Sequence, residues 1–337
     1  MSSYHESGEN RREFKRKGQA LGGFRAAGLS DTGCERESNE DRFLIETQEE
    51  GGGYFVFDGM GGQPAGETAA AIAEDVIREM LLRSEGGDIE SLMVRAIESA
   101  QEEILQRHED PTSVGMGTTA VGVIMLGNRL VVGAVGDSRA YHINRSTISQ
   151  ITNDHTLVQQ LVDAGQISSH DALVHPQSHV LTRCLGSRVD FSVDIRCYAL
   201  KRSALKGTPE EWLLLCSDGL YSLVSDEEMR TLVVQLSADD AVSKLVELAR
   251  SRGGFDNITA VIVPICGRLV AESEESDASG DFGSSPYAPR NFRGPSELES
   301  GSAIQDESVL SWRRLGAVIV LSAIVSILSV IGLQFLR

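Results

Sequence analysis

Apolar positions along this chain repeat with two different periods. Short runs of Val, Ile, Leu and aromatic residues, bounded by Gly, Asp or Asn, predict strands at 42–47, 54–57, 119–126, 130–135, 139–143, 212–216 and 258–263. Gly127-Asn128, between two of these runs, predicts a hairpin turn. Elsewhere the spacing is helical. Ile89, Leu92, Met93, Ala96, Ile97, Ala100 and Ile104 share one face, which predicts a helix over 89–106. Similar stretches predict helices at 67–82, 155–164 and 238–250, and Ser225-Asp-Glu-Glu228 spells a capping box that opens another. Two helices sit together early and strands cluster in runs, without βαβ alternation, so the predicted class is α+β.

The pattern weakens at both ends. Residues 1–23 are polar, carry a basic patch (Arg11, Arg12, Lys15, Arg16, Lys17) and are expected to be a disordered tail. Their opening lacks the apolar core of an export signal. One compact domain is expected over 24–268. Residues 269–312 are rich in Ser, Gly, Glu, Asp and Pro, the composition of a flexible acidic linker. From 315 to 336 no charge interrupts an apolar run long enough to cross a hydrocarbon layer of roughly 30 Å as a helix. Arg313 and Arg314 precede it and Arg337 follows. The expectation is one transmembrane helix over 313–337, with the domain on the cytoplasmic face.

Composition narrows the chemistry. With 49 Asp and Glu against 31 Lys and Arg, the formal charge is −18, which excludes nucleic-acid binding through a broad basic face. The five cysteines (Cys34, Cys184, Cys197, Cys216, Cys266) form no C-x-x-C pair, so reduced thiols are expected in place of a zinc site or a disulfide framework.

Candidate chemistry lies in aspartates placed near strand ends, most of them beside glycine: Asp41 after Asn39-Glu40, Asp58 before Gly59, Asp137 after Gly136, Asp218 before Gly219, and Asp256 before Asn257. Taken singly, each is an ordinary turn residue. Gathered at one sheet edge they would repel strongly unless cations neutralised them. Oxygen-only donors suit Mg²⁺ or Mn²⁺, and a carboxylate-bound pair of such ions clamps phosphate and activates water. Competing chemistries fail on spacing. No cysteine is followed six positions later by the arginine of a cysteine phosphatase, G-x-S-x-G is missing, and the glycines at 59–66 lack the G-K-[ST] ending of a P-loop. His175 and His179 stand four apart, but Pro176 between them argues against a regular helix, so they are not expected to bind metal.

A series of motifs in order carries a resemblance. Ser30-Asp31-x-Gly33-x-x-Arg36-x-x-Asn39-Glu40-Asp41 opens it, followed by Asp58-Gly-Met-Gly-Gly62 with Ala65-Gly66-Glu67. Gly117-Thr-Thr119, Gly136-Asp-Ser-Arg139, Asn153-Asp-His155, His175-Pro-Gln177 through Leu181-Thr-Arg183, Ser217-Asp-Gly219 and Asp256-Asn-Ile-Thr259 complete it. Over about 24–265 the chain resembles the protein phosphatase 2C (PPM) family in its bacterial Ser/Thr form.

The resemblance implies a four-layer α/β/β/α sandwich of two mainly antiparallel sheets flanked by helices, with metals at one edge. By position it implies that Asp58 bridges two Mn²⁺ or Mg²⁺ ions, that Gly59 offers its carbonyl, and that Asp218 and Asp256 complete one shell. Asp41, with Glu40 nearby, would act through metal-bound water, Asp137 would help hold a third, looser ion, and Arg36 would grip the phosphate. A metal-bridging hydroxide would then attack phosphoserine or phosphothreonine in line. Met60 departs from the pattern, standing where eukaryotic members carry the histidine thought to protonate the leaving group. Gln63 stands where bacterial members usually carry one after Gly-Gly. Leaving-group protonation is therefore expected to fall to water. Residues 162–180 resemble a mobile flap.

The function expected is a metal-dependent protein phosphatase opposing Ser/Thr kinases at a membrane, with phosphorylated proteins as partners. A phosphatase dedicated to one signalling regulator and an inactive phosphoprotein-binding module are the alternatives. Retention of Arg36, Asp41, Asp58, Asp137, Asp218 and Asp256 weighs against the second.

Overall fold

The computed structural model describes residues 14–19, 24–48, 51–62, 65–84, 86–107, 115–173, 175–188, 191–201, 209–271 and 290–292. Two antiparallel sheets stack face to face. The first runs β1 (Phe14–Gln19), β2 (Arg25–Asp31), β13 (Ile258–Ile265), β12 (Glu211–Cys216), β9 (Arg139–Asn144), β10 (Ile148–Gln150). The second runs β14 (Arg268–Ala271), β11 (Val193–Lys201), β8 (Arg129–Val135), β7 (Ala120–Leu126), β4 (Gly51–Phe57), β3 (Arg42–Gln48), and β15 (Arg290–Phe292) also pairs with β11. A two-residue ladder joins β5 (Gly59–Met60) to β6 (Gly117–Thr118). Helices α1 (Ala65–Arg83) and α2 (Ile89–Arg107) pack on the second sheet. On the first lie α5 (Asp218–Tyr221), α6 (Asp226–Gln235) and α7 (Ala238–Ser251), while α3 (Leu157–Asp163) and α4 (Ser169–Leu173) fall between β10 and β11 in sequence. The α+β class and the four-layer order are therefore as the sequence implied.

Strand alternation fills the layers. In β4, Phe55 and Phe57 face α1 and α2 beside Ile77, Met93 and Ile97, whereas Tyr54 and Val56 face the other sheet beside Leu213, Val261 and Val263. Both faces are covered, which is why such strands read as continuous apolar runs. The Gly127 turn, at φ 60°, closes the β7–β8 hairpin with Leu126 opposite Arg129. Ser225 and Glu228 form the predicted capping box of α6.

Some boundaries differ from those expected. Residues 14–19, placed in a disordered tail, form β1 along β2. Backbone pairing at a sheet edge needs no apolar side chains, so hydrophobic periodicity does not announce it. The β2 strand escaped prediction because its residues are small and buried on both faces, with Ala26 in one layer and Ala27 in the next. A Cβ on its Gly28 would lie 2.5 Å from Phe43 Cε2. Both β14 and β15 fall wholly or partly inside the expected linker. The rest of that linker, the rest of the N-terminal tail and the transmembrane helix expected at 313–337 lie outside the described residues. Among the described residues no helix is long and apolar enough to cross a membrane.

Candidate active site

Antiparallel pairing brings several strand ends to one edge of the sandwich. There β4, β8 and β12 finish at Phe57, Val135 and Cys216, and β3 and β13 begin at Arg42 and Ile258. Asp58 directly follows β4 and Asp41 directly precedes β3, Asp137 and Asp218 stand two positions past β8 and β12, and Asp256 two before β13. A cleft of about 240 Å³ opens at this edge, lined by Arg36, Glu40, Asp58, Gly59, Asp137, Asp218 and Asp256. That is below the ~300–1,000 Å³ usual for drug-sized ligands, and suits a phosphate group and small ions. Asp41, 1% exposed, is not part of the lining and lies behind it.

Hydrogen bonds fix each carboxylate's setting. Asp41 Oδ2 accepts from Ser217 Oγ at 2.8 Å and from Thr259 Oγ1 at 2.6 Å. Thr259 Oγ1 lies 2.7 Å from Ser30 Oγ, which accepts from Asn39 Nδ2 at 2.8 Å. Each hydroxyl has one hydrogen to give, so Asn39 donates to Ser30, Ser30 to Thr259 and Thr259 to Asp41. Asn257 pins the loop carrying Arg36 and Glu40: its Oδ1 accepts from Glu40 N at 2.8 Å, and its Nδ2 donates to the Thr32 and Ser38 carbonyls, each at 2.9 Å. Asp58 N donates to Thr119 Oγ1 at 3.0 Å. A Cβ on Gly59 would meet Gly66 O at 2.4 Å and Glu40 O at 2.6 Å, so this close approach admits only glycine.

Asp137 is aimed by a turn at Gly136, whose φ is 106°. Gly136 N donates to His155 Nδ1 at 3.0 Å, which places the imidazole proton on Nε2, 3.1 Å from Asp194 Oδ2. Arg183 Nη1 reaches Asp194 Oδ1 at 2.7 Å. Burial would raise Asp194, but His155 and Arg183 outweigh it and hold that carboxyl below its ordinary value.

Electrostatics mark the cleft as short of positive charge. Burial first, then Asp41, Asp218, Asp137 and Asp256, push the Asp58 carboxyl well above its ordinary value. Burial, reinforced by Asp218, pushes Asp41 and Asp137 up to about 7. Burial also raises Asp218 and Glu40. Arg36 is the one permanent cation among the described lining residues, and its Nη2 sits 2.8 Å from Asp256 Oδ2. Crowded, oxygen-only donors of one sign fit hard divalent cations. Among the described residues no group of three or more His, Cys, Asp or Glu side chains forms a ready metal cage. The donors instead line an open cleft, which suits ions that keep several of their waters.

The sequence-predicted residues thus converge, with Asp41 one layer back. Ser217, Asn257 and Thr259 belonged to motifs, but their supporting bonds were not readable from one sequence. His179 also lines the cleft, and Met60 is exposed beside it. Gln63 lies outside the described residues.

The family model for protein phosphatase 2C matches residues 15–161, beginning inside β1. The serine/threonine phosphatase stp of Listeria welshimeri is 34% identical over 241 residues, spanning 69% of this chain and 93% of that protein. The chain belongs to the protein phosphatase 2C family. The protein phosphatase PstP of Mycobacterium tuberculosis is 33% identical over 72% of this chain and 45% of its own length. The crystal structure of the phosphatase Stp1 from Staphylococcus aureus aligns with a TM-score of 0.66 at 32% identity, covering 75% of this chain and 99% of that one. The catalytic domain of PstP, solved in complex with two manganese ions, aligns at 0.59 and 30% identity, covering 77% and 98%.

Proposed function

We propose that this cleft hydrolyses phosphoserine and phosphothreonine in proteins with the aid of two hard divalent cations, Mn²⁺ or Mg²⁺. The observation that carries the reading is the gathering of Glu40, Asp58, Asp137, Asp218 and Asp256 around a phosphate-sized cleft with Arg36 at its mouth. Asp58, the Gly59 carbonyl, Asp218 and Asp256 would hold the ions, with Glu40 and Asp41 supporting them and Asp137 serving a third. When bound, such ions activate water and neutralise phosphate charge.

The chain's own groups complete the site. Arg36 offers a planar, permanently charged fork to the phosphate oxygens. Asn257 fixes the loop that carries Arg36 and Glu40. No cysteine lines the cleft among the described residues, and the Thr119 hydroxyl is engaged by Asp58 N and by Ser138 Oγ at 2.7 Å. With the lining carboxylates assigned to the cations, water would be the nucleophile.

We further propose that 313–337 anchors the enzyme in a membrane by a single pass, with the cleft on the cytoplasmic side opposing Ser/Thr kinases. The uncharged run at 315–336 and its flanking arginines support this. The deciding experiment is phosphate release from a phosphothreonine peptide by the full chain, with and without Mn²⁺, beside Asp58→Asn. Release that needs Mn²⁺ and disappears in the variant is expected. No release with any divalent metal would defeat the reading.

A further inference from the structure

His179 lines the same cleft as the carboxylates, yet the assignments above give it no part. Its side chain is exposed and makes no hydrogen bond or ion pair among the described residues. Its backbone, by contrast, is tied on both sides. Ser178 N donates to His175 O at 3.0 Å, Val180 N to Gln177 O at 3.2 Å, and Leu157 N to Val180 O at 2.9 Å. Leu181 then bridges to Thr156. An unengaged imidazole is thus presented to the cleft from an anchored turn.

The chemistry proposed for this cleft needs such a group. A serine or threonine oxygen leaves phosphorus as a strongly basic alkoxide unless a proton reaches it as the bond breaks. Most of the lining has no proton to give. Arg36 does not release its own. Glu40, Asp58, Asp137, Asp218 and Asp256 are the proposed oxygen donors to cations, a role filled by the ionised form. Thr119 is engaged, and Asn257, Met60 and Leu181 are not acids. Imidazole is the side chain that exchanges a proton near neutral pH.

We infer that His179 is the general acid of this cleft, protonating the serine or threonine oxygen as it leaves phosphorus. The inference rests on the phosphatase reading and names a side chain for a proton otherwise left to water. In the step, the bond between phosphorus and the ester oxygen breaks and its electron pair moves to that oxygen. The imidazolium proton moves there too, giving the free hydroxyl. The attacking water supplies the new bond to phosphorus, so dihydrogen phosphate forms and returns one proton to the neutral imidazole. No reactant besides water is consumed.

The test compares the full chain, His179→Asn and His175→Asn in saturating Mn²⁺. His175 is a control on the same turn: it does not line the cleft, and its Nδ1 accepts from Gln177 N at 3.2 Å. Each protein is assayed on a phosphothreonine peptide, whose leaving group needs a proton, and on p-nitrophenyl phosphate, whose phenolate leaves without one. His179→Asn should lower kcat on the peptide by about 100-fold, the usual range for losing a general acid. It should leave p-nitrophenyl phosphate turnover and calorimetric Mn²⁺ affinity unchanged, and His175→Asn should retain all three. Equal loss on both substrates, loss on neither, or weakened Mn²⁺ binding would overturn the assignment. If the unaltered chain hydrolyses neither substrate, the phosphatase reading falls and this inference falls with it.

Discussion

Arg36 and Asp256 face each other at the mouth of the cleft, Nη2 to Oδ2 at 2.8 Å, with side chains 53% and 36% exposed. So exposed a pair contributes little to stability. Its interest is competitive, because it joins the proposed phosphate grip to a proposed cation ligand. A cation arriving at Asp256 would release Arg36 toward the phosphate. Arg36→Ala should therefore strengthen Mn²⁺ binding, while raising KM for a phosphopeptide by roughly tenfold or more, as expected for a lost charged hydrogen bond. Calorimetric titration and steady-state kinetics would show the two shifts. If both affinities weaken together, the two residues do not compete.

The hydroxyls behind Asp41 make a second prediction. Thr259→Val removes the donor 2.6 Å from Asp41 Oδ2 and leaves the Ser30 hydroxyl without that partner. Leaving buried polar groups short of a bond costs about 1–3 kcal/mol. Urea denaturation should show a loss of that size, together with weaker Mn²⁺ binding because Asp41 loses a bond that favours its ionised form. Thr259→Ser keeps the hydroxyl and should recover most of both. A serine variant as weak as valine would assign the effect to packing.

Metal-free stability and the stabilisation that metal adds should depend on pH in opposite senses. Burial pushes Asp41 and Asp137 up to about 7 from an ordinary 3.8, and Asp58 moves the same way. Between about pH 4 and 7 the metal-free native state therefore binds more protons than the unfolded chain, so its stability falls as pH rises. Cations favour the ionised carboxylates, so their binding displaces protons and strengthens with pH. In chelator, Tm should fall from about pH 5 to 8, while the increase in Tm caused by Mn²⁺ should grow over the same range. Differential scanning fluorimetry across that range is sufficient. Parallel curves would mean that these carboxyls do not bind the metal.

What could be read from the sequence follows from how each element is stabilised. The strand that leads into Asp58 announced itself because both its faces are buried, and the glycine at 59 follows from main-chain packing tight enough to exclude a Cβ. Ser225 and Glu228 were legible because capping is local. The β1 strand was hidden because its pairing is backbone work at an edge, and β2 because alanines and glycine fill narrow gaps that only the fold creates. Within the site, the aspartates were found through their neighbours in sequence. Asn257's hold on Glu40 spans 217 positions, and the Thr259 bond to Asp41 spans 218. His179 was set aside on helical spacing, a test that does not apply to a side chain presented from a turn.

The proposed anchor yields the last prediction. The stretch between Phe292, where β15 ends, and the predicted transmembrane helix at 313 is short in sequence. The cleft would then stay close to the bilayer, where tethering through a short linker gives effective concentrations on the order of mM toward membrane-held substrates. A free phosphopeptide gains nothing from this, because it meets the cleft by diffusion either way. Deleting 310–337 should leave phosphopeptide turnover unchanged and slow dephosphorylation of a membrane-embedded Ser/Thr kinase in the same vesicles by tenfold or more, within the ~10²–10⁴ range available to such linkage. Parallel initial rates of full and truncated chains on both substrates would measure the difference. Equal rates on the kinase would show that 313–337 does not bring the cleft to its substrate.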